Sequence, residues 1–252
     1  MDTAILDHPE LPPGRTVSYG SRPHQVYEVV GDPTSARGWV VLVHGGFWKA
    51  RWDRTHLRPL AAALAGEEYA VALLEYARAG MEGGGWPGTF SDVAAALAAV
   101  REEIGAAPYA LVGHSAGGHL AAWLLHQPEA EGCAGAVSLA GCLDLTLTAE
   151  LGLGDGAAGA LMGGGPQDLP DPYAEADPAR TGAAPYPVVV LHGTEDEEVP
   201  VAVADSWWAA CGVPDRDRLV VLEGVGHFSL IDPAGPSHPL LLEHLEGLLG
   251  RR

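Results

Sequence analysis

The sequence predicts an α/β protein in which a mostly parallel central sheet carries helices on both faces. Short apolar runs alternate along the chain with segments whose apolar residues recur at helical spacing. Some of these runs, such as Trp39–Val43, are apolar at every position, as expected of strands that are buried on both faces. Strands that alternate with helices in this way favour parallel pairing through right-handed crossovers.

The individual elements follow from apolar runs that end at Gly, Pro or Asp and from helical periodicity between them. The predicted strands cover residues 17–19, 25–30, 39–43, 69–76, 109–112, 133–140, 188–191 and 218–222. The predicted helices cover residues 53–65, about 89–104, the segment from Ser115 to about residue 126, 201–211 and 239–249. Every polar candidate for function then falls just after a strand, where open α/β sheets place their sites.

Two segments show little periodicity. Residues 1–16 are predicted to form an irregular arm. Residues 143–187 alternate glycines and prolines with short apolar groups, and a stretch of this length inside a compact domain is typical of a lid or cap. We therefore expect one domain over residues 1–252, with an irregular cap inserted at 143–187.

Composition excludes several classes of function. The net charge of −19 argues against a nucleic-acid partner and against an anionic membrane surface. No apolar run approaches the ~20 residues of a membrane span, and residues 1–7 lack the pattern of a signal peptide. The three cysteines are too few for a disulfide framework or a metal cluster. We expect a cytoplasmic enzyme that acts on a small molecule without metal or cofactor; the sequence leaves a homodimer open.

The segment 109–119 contains a Gly-x-Ser-x-Gly turn between a predicted strand and a predicted helix. This is the pattern of a nucleophile elbow, in which the central serine is held in a strained backbone conformation. Small residues are needed two positions before and after it, and Gly113 and Gly117 supply them. We expect the Ser115 hydroxyl to project above the carboxyl edge of the sheet as a nucleophile.

A serine nucleophile needs a base, and His227 after the last strand is the expected one. Asp196 follows the preceding strand. The chain order is then nucleophile, acid, base, which is the order expected with a nucleophile elbow of this kind. Asp144 is the alternative acid, because it follows an earlier strand. The His-Gly turn before Asp196 and the Val-Pro pair after it favour Asp196 over Asp144.

An oxyanion hole is predicted from His44-Gly-Gly-Phe-Trp48, which follows a central strand. Glycines let backbone amides turn inward without obstruction, so the amides of Gly46 and Phe47 are expected to join that of Ala116 around a developing oxyanion.

Three aromatic residues lie close to these loops in the sequence. Trp48, Trp86 and Phe228 are predicted to contact the substrate, which would favour an aromatic or flat molecule.

Taken together, the strand order, the Gly113–Gly117 turn, Asp196, His227 and the His-Gly-Gly motif resemble the α/β-hydrolase fold over nearly the whole chain. The His-Gly-Gly-x-Trp motif also resembles that of the kynurenine formamidase (arylformamidase) group and related bacterial esterases. That resemblance implies a serine hydrolase that cleaves N-formylkynurenine, with the oxyanion held at Gly46 and Phe47. Three alternatives stay open: a general short-chain carboxylesterase, a non-hydrolytic biosynthetic enzyme, and a binding protein on the same scaffold.

Overall fold

The computed structural model describes residues 11–250 and is organised around an eight-stranded sheet. Its order is β1-β2-β4-β3-β5-β6-β7-β8. The two pairs that involve β2 are antiparallel and all the others are parallel. The strands are β1 Arg15–Ser18, β2 Val26–Val30, β3 Trp39–Val43, β4 Ala70–Leu74, β5 Tyr109–His114, β6 Ala136–Leu139, β7 Val188–Gly193 and β8 Arg218–Leu222.

Helices cover both faces of this sheet, as predicted. Alternate side chains of β3 show the division: Val41 packs into one apolar cluster and Val40 into the other. Helices α1 and α8 contribute to the cluster of Val40, and the remaining helices contribute to that of Val41. The helices are α1 Arg58–Gly66, α2 Gly88–Ile104, α3 Ala116–Leu124, α4 Leu145–Glu150, α5 Leu153–Met162, α6 Pro170–Ala176, α7 Val201–Cys211 and α8 His238–Leu249.

Two predictions about irregular segments need correction. The arm predicted at residues 1–16 is not irregular throughout, because β1 begins at Arg15; residues 1–10 lie outside the described part of the chain. The segment 143–187 is not irregular either, since it contains α4, α5 and α6. Its helices are short, and α5 has three consecutive residues in the left-handed region of φ and ψ. Apolar residues therefore do not recur at helical spacing over enough positions to predict these helices from the sequence. Its role as a lid stays a prediction.

Among the described residues, none of the helices has both the length and the apolar character that a membrane span requires.

Candidate active site

The catalytic candidates lie in loops at the carboxyl ends of parallel strands. Ser115 follows β5, Asp196 follows β7, His227 lies in the segment after β8, and the loop with Gly46 and Phe47 follows β3. Ser115 and His227 line the same cavity together with Gly46 and Phe47. The parallel strand order thus brings together residues that are far apart in sequence.

Ser115 occupies a strained turn of the kind that the elbow motif predicts. Its φ of 56° and ψ of −123° fall in a region that residues with a side chain rarely adopt. A Cβ at Gly113 would lie 2.1 Å from the carbonyl oxygen of Gly117, and one at Gly117 would lie 2.1 Å from that of Val43. Neither contact is sterically allowed, so both glycines are required for this turn. The amide of Ser115 donates to the carbonyl of Leu139, which ties the elbow to β6.

Asp196 and His227 form a buried pair, with 2.7 Å between Oδ2 and Nδ1. The other carboxylate oxygen accepts hydrogen bonds from the amides of Glu198 and Val199 at 2.9 and 2.7 Å. Burial raises the pKa of Asp196, but hydrogen bonds from His192, His227 and the Val199 amide outweigh it, and the pKa lies well below its usual range. The carboxylate is therefore ionised and fixed, so it can orient the imidazole of His227.

Asp144, the alternative acid, has a different set of partners. It is the N-cap of α4, where it accepts from the Leu147 amide at 2.7 Å, and it accepts from the Ser206 hydroxyl at 2.6 Å. The first contact lies within α4 and the second joins α4 to α7. The structure does not bring this carboxylate to His227. Between the two candidates, the geometry favours Asp196.

His114 supports the candidate base and was not singled out from the sequence. Burial is the main cause that holds the pKa of His114 well below its usual value, so its ring is neutral. Its Nε2 lies 3.1 Å from the carbonyl oxygen of His227, to which it donates, and the two ring centroids are 4.6 Å apart. The only sequence signal for this contact was the place of His114 next to the nucleophile.

The oxyanion loop, defined here as residues 44–48, approaches the elbow closely. A Cβ at Gly45 would lie 2.7 Å from the His114 carbonyl oxygen, so only glycine permits this approach. The following residues Gly46, Phe47 and Trp48 all have positive φ, at 103°, 50° and 54°. Ala116, whose amide is the third predicted donor, is the first residue of α3. The three predicted donors thus belong to two backbone segments that meet at Ser115.

His44 anchors this loop to a buried charged cluster. Its Nε2 lies 3.0 Å from Glu75 Oε1 and its Nδ1 lies 2.8 Å from the Gly45 carbonyl oxygen. These two contacts hold the His44 ring between the backbone of the loop and a buried carboxylate. Burial raises the pKa of Glu75, but its interactions with His44, Arg78 and the Tyr76 amide lower it overall to about 2.

The cluster extends beyond Glu75. Arg54 joins Glu75 to Glu28, and Arg58 also binds Glu28. Because these side chains are spread from residue 28 to residue 78, no local sequence pattern reveals the cluster.

The cavity at this site has a volume of about 190 Å³. Phe228 lines it, and its predicted contact with the substrate stays a prediction. Its lining residues are Gly46, Phe47, Arg51, Trp52, His56, His114, Ser115, Glu198, His227 and Phe228.

Trp48 and Trp86, predicted to contact the substrate, are not among the residues that line this cavity. Trp48 is fully buried and packs edge-to-face on His119 of α3. Trp86 packs on Phe90 of α2, with ring centroids 4.8 Å apart. The structure instead places the half-exposed indole of Trp52 in the cavity wall. Its position four residues after the end of the oxyanion loop was the signal that could have identified it.

In the part of the chain that the structure describes, no group of three or more His, Cys, Asp or Glu side chains is arranged to hold a metal ion.

Comparison with solved structures supports the same fold. A truncated carbohydrate esterase from gut microbiota has a TM-score of 0.79 at 16% identity, with 96% of this chain and 98% of that chain covered. Esterase B from Lactobacillus rhamnosis, inhibited by a tributyrin phosphonate, has a TM-score of 0.75 at 20% identity, with 98% and 89% covered. An esterase from Thermogutta terrifontis with bound propionate has a TM-score of 0.70 at 22% identity, with 96% and 95% covered. These similarities show that the chain has the α/β-hydrolase fold.

Comparison of the sequence with known proteins and families gives one match, to a family model. No curated protein matches the chain. The model of the BD-FAE family matches residues 31–209, a range that includes Ser115 and Asp196 and ends before His227. Because this match spans more than half of the sequence, the chain belongs to the BD-FAE family of α/β-hydrolase esterases.

Proposed function

We propose that the protein is a carboxylesterase that hydrolyses esters of short acyl groups through a Ser115–His227–Asp196 triad. The observation that carries this proposal is one small cavity that Ser115 and His227 both line. Its volume of about 190 Å³ is below the ~300–1,000 Å³ of pockets for drug-sized ligands, which favours small substrates.

The residues are suited to acyl transfer in two steps. His227 accepts the proton of the Ser115 hydroxyl as the oxygen attacks the ester carbonyl, while Asp196 stabilises the imidazolium that forms. The amides of Gly46, Phe47 and Ala116 donate to the oxyanion of the tetrahedral intermediate. The ester C–O bond then breaks, and the alcohol leaves with the proton from His227. Water, deprotonated by His227, cleaves the acyl-enzyme and releases the acid.

The arylformamidase interpretation has less support. An aromatic substrate was expected because Trp48 and Trp86 were predicted to contact it, and neither indole lines the cavity. The aromatic groups that do line it are Phe47, Trp52 and Phe228. The BD-FAE match and the esterases among the structural neighbours support ester hydrolysis rather than formamide hydrolysis. We therefore propose the general carboxylesterase in place of the formamidase.

The test is a substrate panel of p-nitrophenyl esters from acetate to octanoate, together with N-formylkynurenine. We expect kcat/KM to be highest for acetate to butyrate and to fall towards octanoate, because the cavity has a volume of only about 190 Å³. For each substrate, kcat/KM is divided by the rate of its uncatalysed hydrolysis. We expect this rate enhancement to be lower for N-formylkynurenine than for p-nitrophenyl acetate. If the rate enhancement for N-formylkynurenine exceeds that for every ester, the arylformamidase interpretation is restored. An octanoate optimum would contradict the preference for short acyl groups.

A further inference from the structure

Arg51 is an exposed cation in the wall of the active-site cavity. Its guanidinium carbon lies 5.6 Å from the centroid of the Trp52 ring, and the Trp52 indole lines the same cavity. Within residues 11–250 no hydrogen bond or ion pair is formed by the Arg51 side chain. Stacking on an indole uses the face of a guanidinium and leaves its N–H donors free.

Arg51 is unusual in this respect. Each of the other arginines and the single lysine within the described range 11–250 binds a carboxylate or a backbone carbonyl. These residues are Arg15, Arg22, Arg37, Lys49, Arg54, Arg58, Arg78, Arg101, Arg180, Arg216 and Arg218. The chain has 33 acidic and 14 basic residues, so acceptors for a guanidinium are abundant. The one described cation without such a partner is thus the one in the wall of the active-site cavity.

Glu198 is the carboxylate that also lines this cavity, and it forms no ion pair with Arg51. Because the chain has 33 acidic and 14 basic residues, many carboxylates have no cationic partner, and the lack of one at Glu198 is expected. The net charge of −19 disfavours anions at long range, but salt screens such fields beyond about 10 Å at 0.1 M. At the distance of a bound ligand, the nearest charges decide which substrates are favoured.

We propose that Arg51 binds a carboxylate of the substrate, so that the preferred ester carries a negative charge on its acyl or alcohol portion. This inference rests on the proposed esterase function of the same cavity. A guanidinium offers paired N–H donors that match the two oxygens of a carboxylate. Because the cavity is small, that carboxylate is separated from the scissile ester by a few carbon atoms.

The test uses two pairs of esters that differ only in a carboxylate or its neutral primary amide. Monomethyl glutarate and methyl glutaramate place the group on the acyl side. 4-Acetoxybutanoate and 4-acetoxybutanamide place it on the alcohol side. The ratio of kcat/KM for carboxylate over amide is measured by acid release at neutral pH. In the pair that places the carboxylate on the side of the ester where Arg51 binds it, the wild type should favour the carboxylate. Arg51→Gln should lower the ratio in that pair about tenfold.

Three variants sharpen the result. Arg51→Lys keeps the charge without the paired donors and should retain part of the preference. Glu198→Gln removes the opposing charge and should raise the ratio. Arg180→Gln removes one positive charge from an exposed residue that does not line the cavity, and should leave the ratio as in the wild type.

The outcomes separate this inference from the proposed function. If Arg51→Gln leaves both ratios unchanged while the wild type hydrolyses p-nitrophenyl acetate, the inference about Arg51 is wrong and the esterase proposal stands. If the wild type hydrolyses none of these esters, including p-nitrophenyl acetate, the proposed function itself fails.

Discussion

The nucleophile elbow and the oxyanion loop lie side by side at the candidate active site, yet they are held in different ways. The elbow depends on local sterics, since Gly113 and Gly117 allow the backbone contacts that fix Ser115. The oxyanion loop is held through His44 by Glu75, a residue on the segment that follows β4. A short motif is therefore enough to predict the first region, whereas the second also depends on distant residues.

The largest expected effect concerns the acid that pairs with His227, the predicted base for the elbow serine. Asp196→Asn should lower kcat by about 10⁴-fold, because an amide cannot hold the same tautomer of His227. Asp144→Asn should leave kcat within a small factor, because Asp144 caps α4 and binds Ser206. The measurement is kcat for p-nitrophenyl acetate with both variants shown to be folded. A larger loss in Asp144→Asn would move the acid to that residue.

A smaller effect is expected when the anchor of the oxyanion loop is removed. Glu75→Gln removes the carboxylate that binds His44, so the loop amides should lose their fixed positions. Because one oxyanion donor is worth about 10²–10³ in kcat, we expect a loss of about 10- to 100-fold with little change in KM.

The matched control is Glu82→Gln, which removes an exposed ion pair with Arg22. It should leave kcat unchanged. If folded Glu75→Gln has the kcat of the wild type, the oxyanion loop is held without its anchor.

Two tryptophans, Trp48 in the oxyanion loop and Trp52 four residues after it, provide a milder test. Trp52→Ala should raise KM for p-nitrophenyl butyrate by about two- to tenfold, because it removes an aromatic wall of the cavity. It keeps the Cβ that packs against Gly46. Trp48→Phe should leave the ranking of acyl lengths unchanged and lower the free energy of unfolding instead, since Trp48 is fully buried. An altered ranking in Trp48→Phe alone would place the substrate at Trp48.

The smallest effect concerns the buried His119, which packs against Trp48 of the oxyanion loop. Burial lowers the pKa of His119 to about 4, from an ordinary value of about 6.5. Between these values the unfolded chain binds a proton that the folded protein does not, so stability falls as pH decreases.

In His119→Phe this dependence should be shallower by up to about 1.4 kcal/mol per pH unit between pH 6.5 and 4. Urea unfolding at several pH values measures the difference between the two proteins. Parallel curves would mean that folding does not lower the pKa of His119.

These contrasts explain which features of the molecule could be predicted from its sequence. The fold class and the positions of Ser115, Asp196 and His227 follow strand periodicity and turn motifs, which are local. The roles of His114, Arg51 and Trp52 depend on which side chains meet across the sheet edge. Trp48 shows the same limit, because the left-handed turn of the loop directs its indole into the core. Sequence position alone placed it beside the substrate.

The central claim is that Ser115 is the nucleophile of this esterase, and covalent labelling tests it most directly. The folded protein is treated with a fluorophosphonate, and the modified peptide is identified by mass spectrometry, with Ser115→Ala as the matched control. We predict one adduct, on Ser115, whose formation parallels the loss of esterase activity. The control should show neither the adduct nor the activity. Esterase turnover retained by a folded Ser115→Ala protein, or a phosphonate on another residue with loss of activity, would contradict the claim.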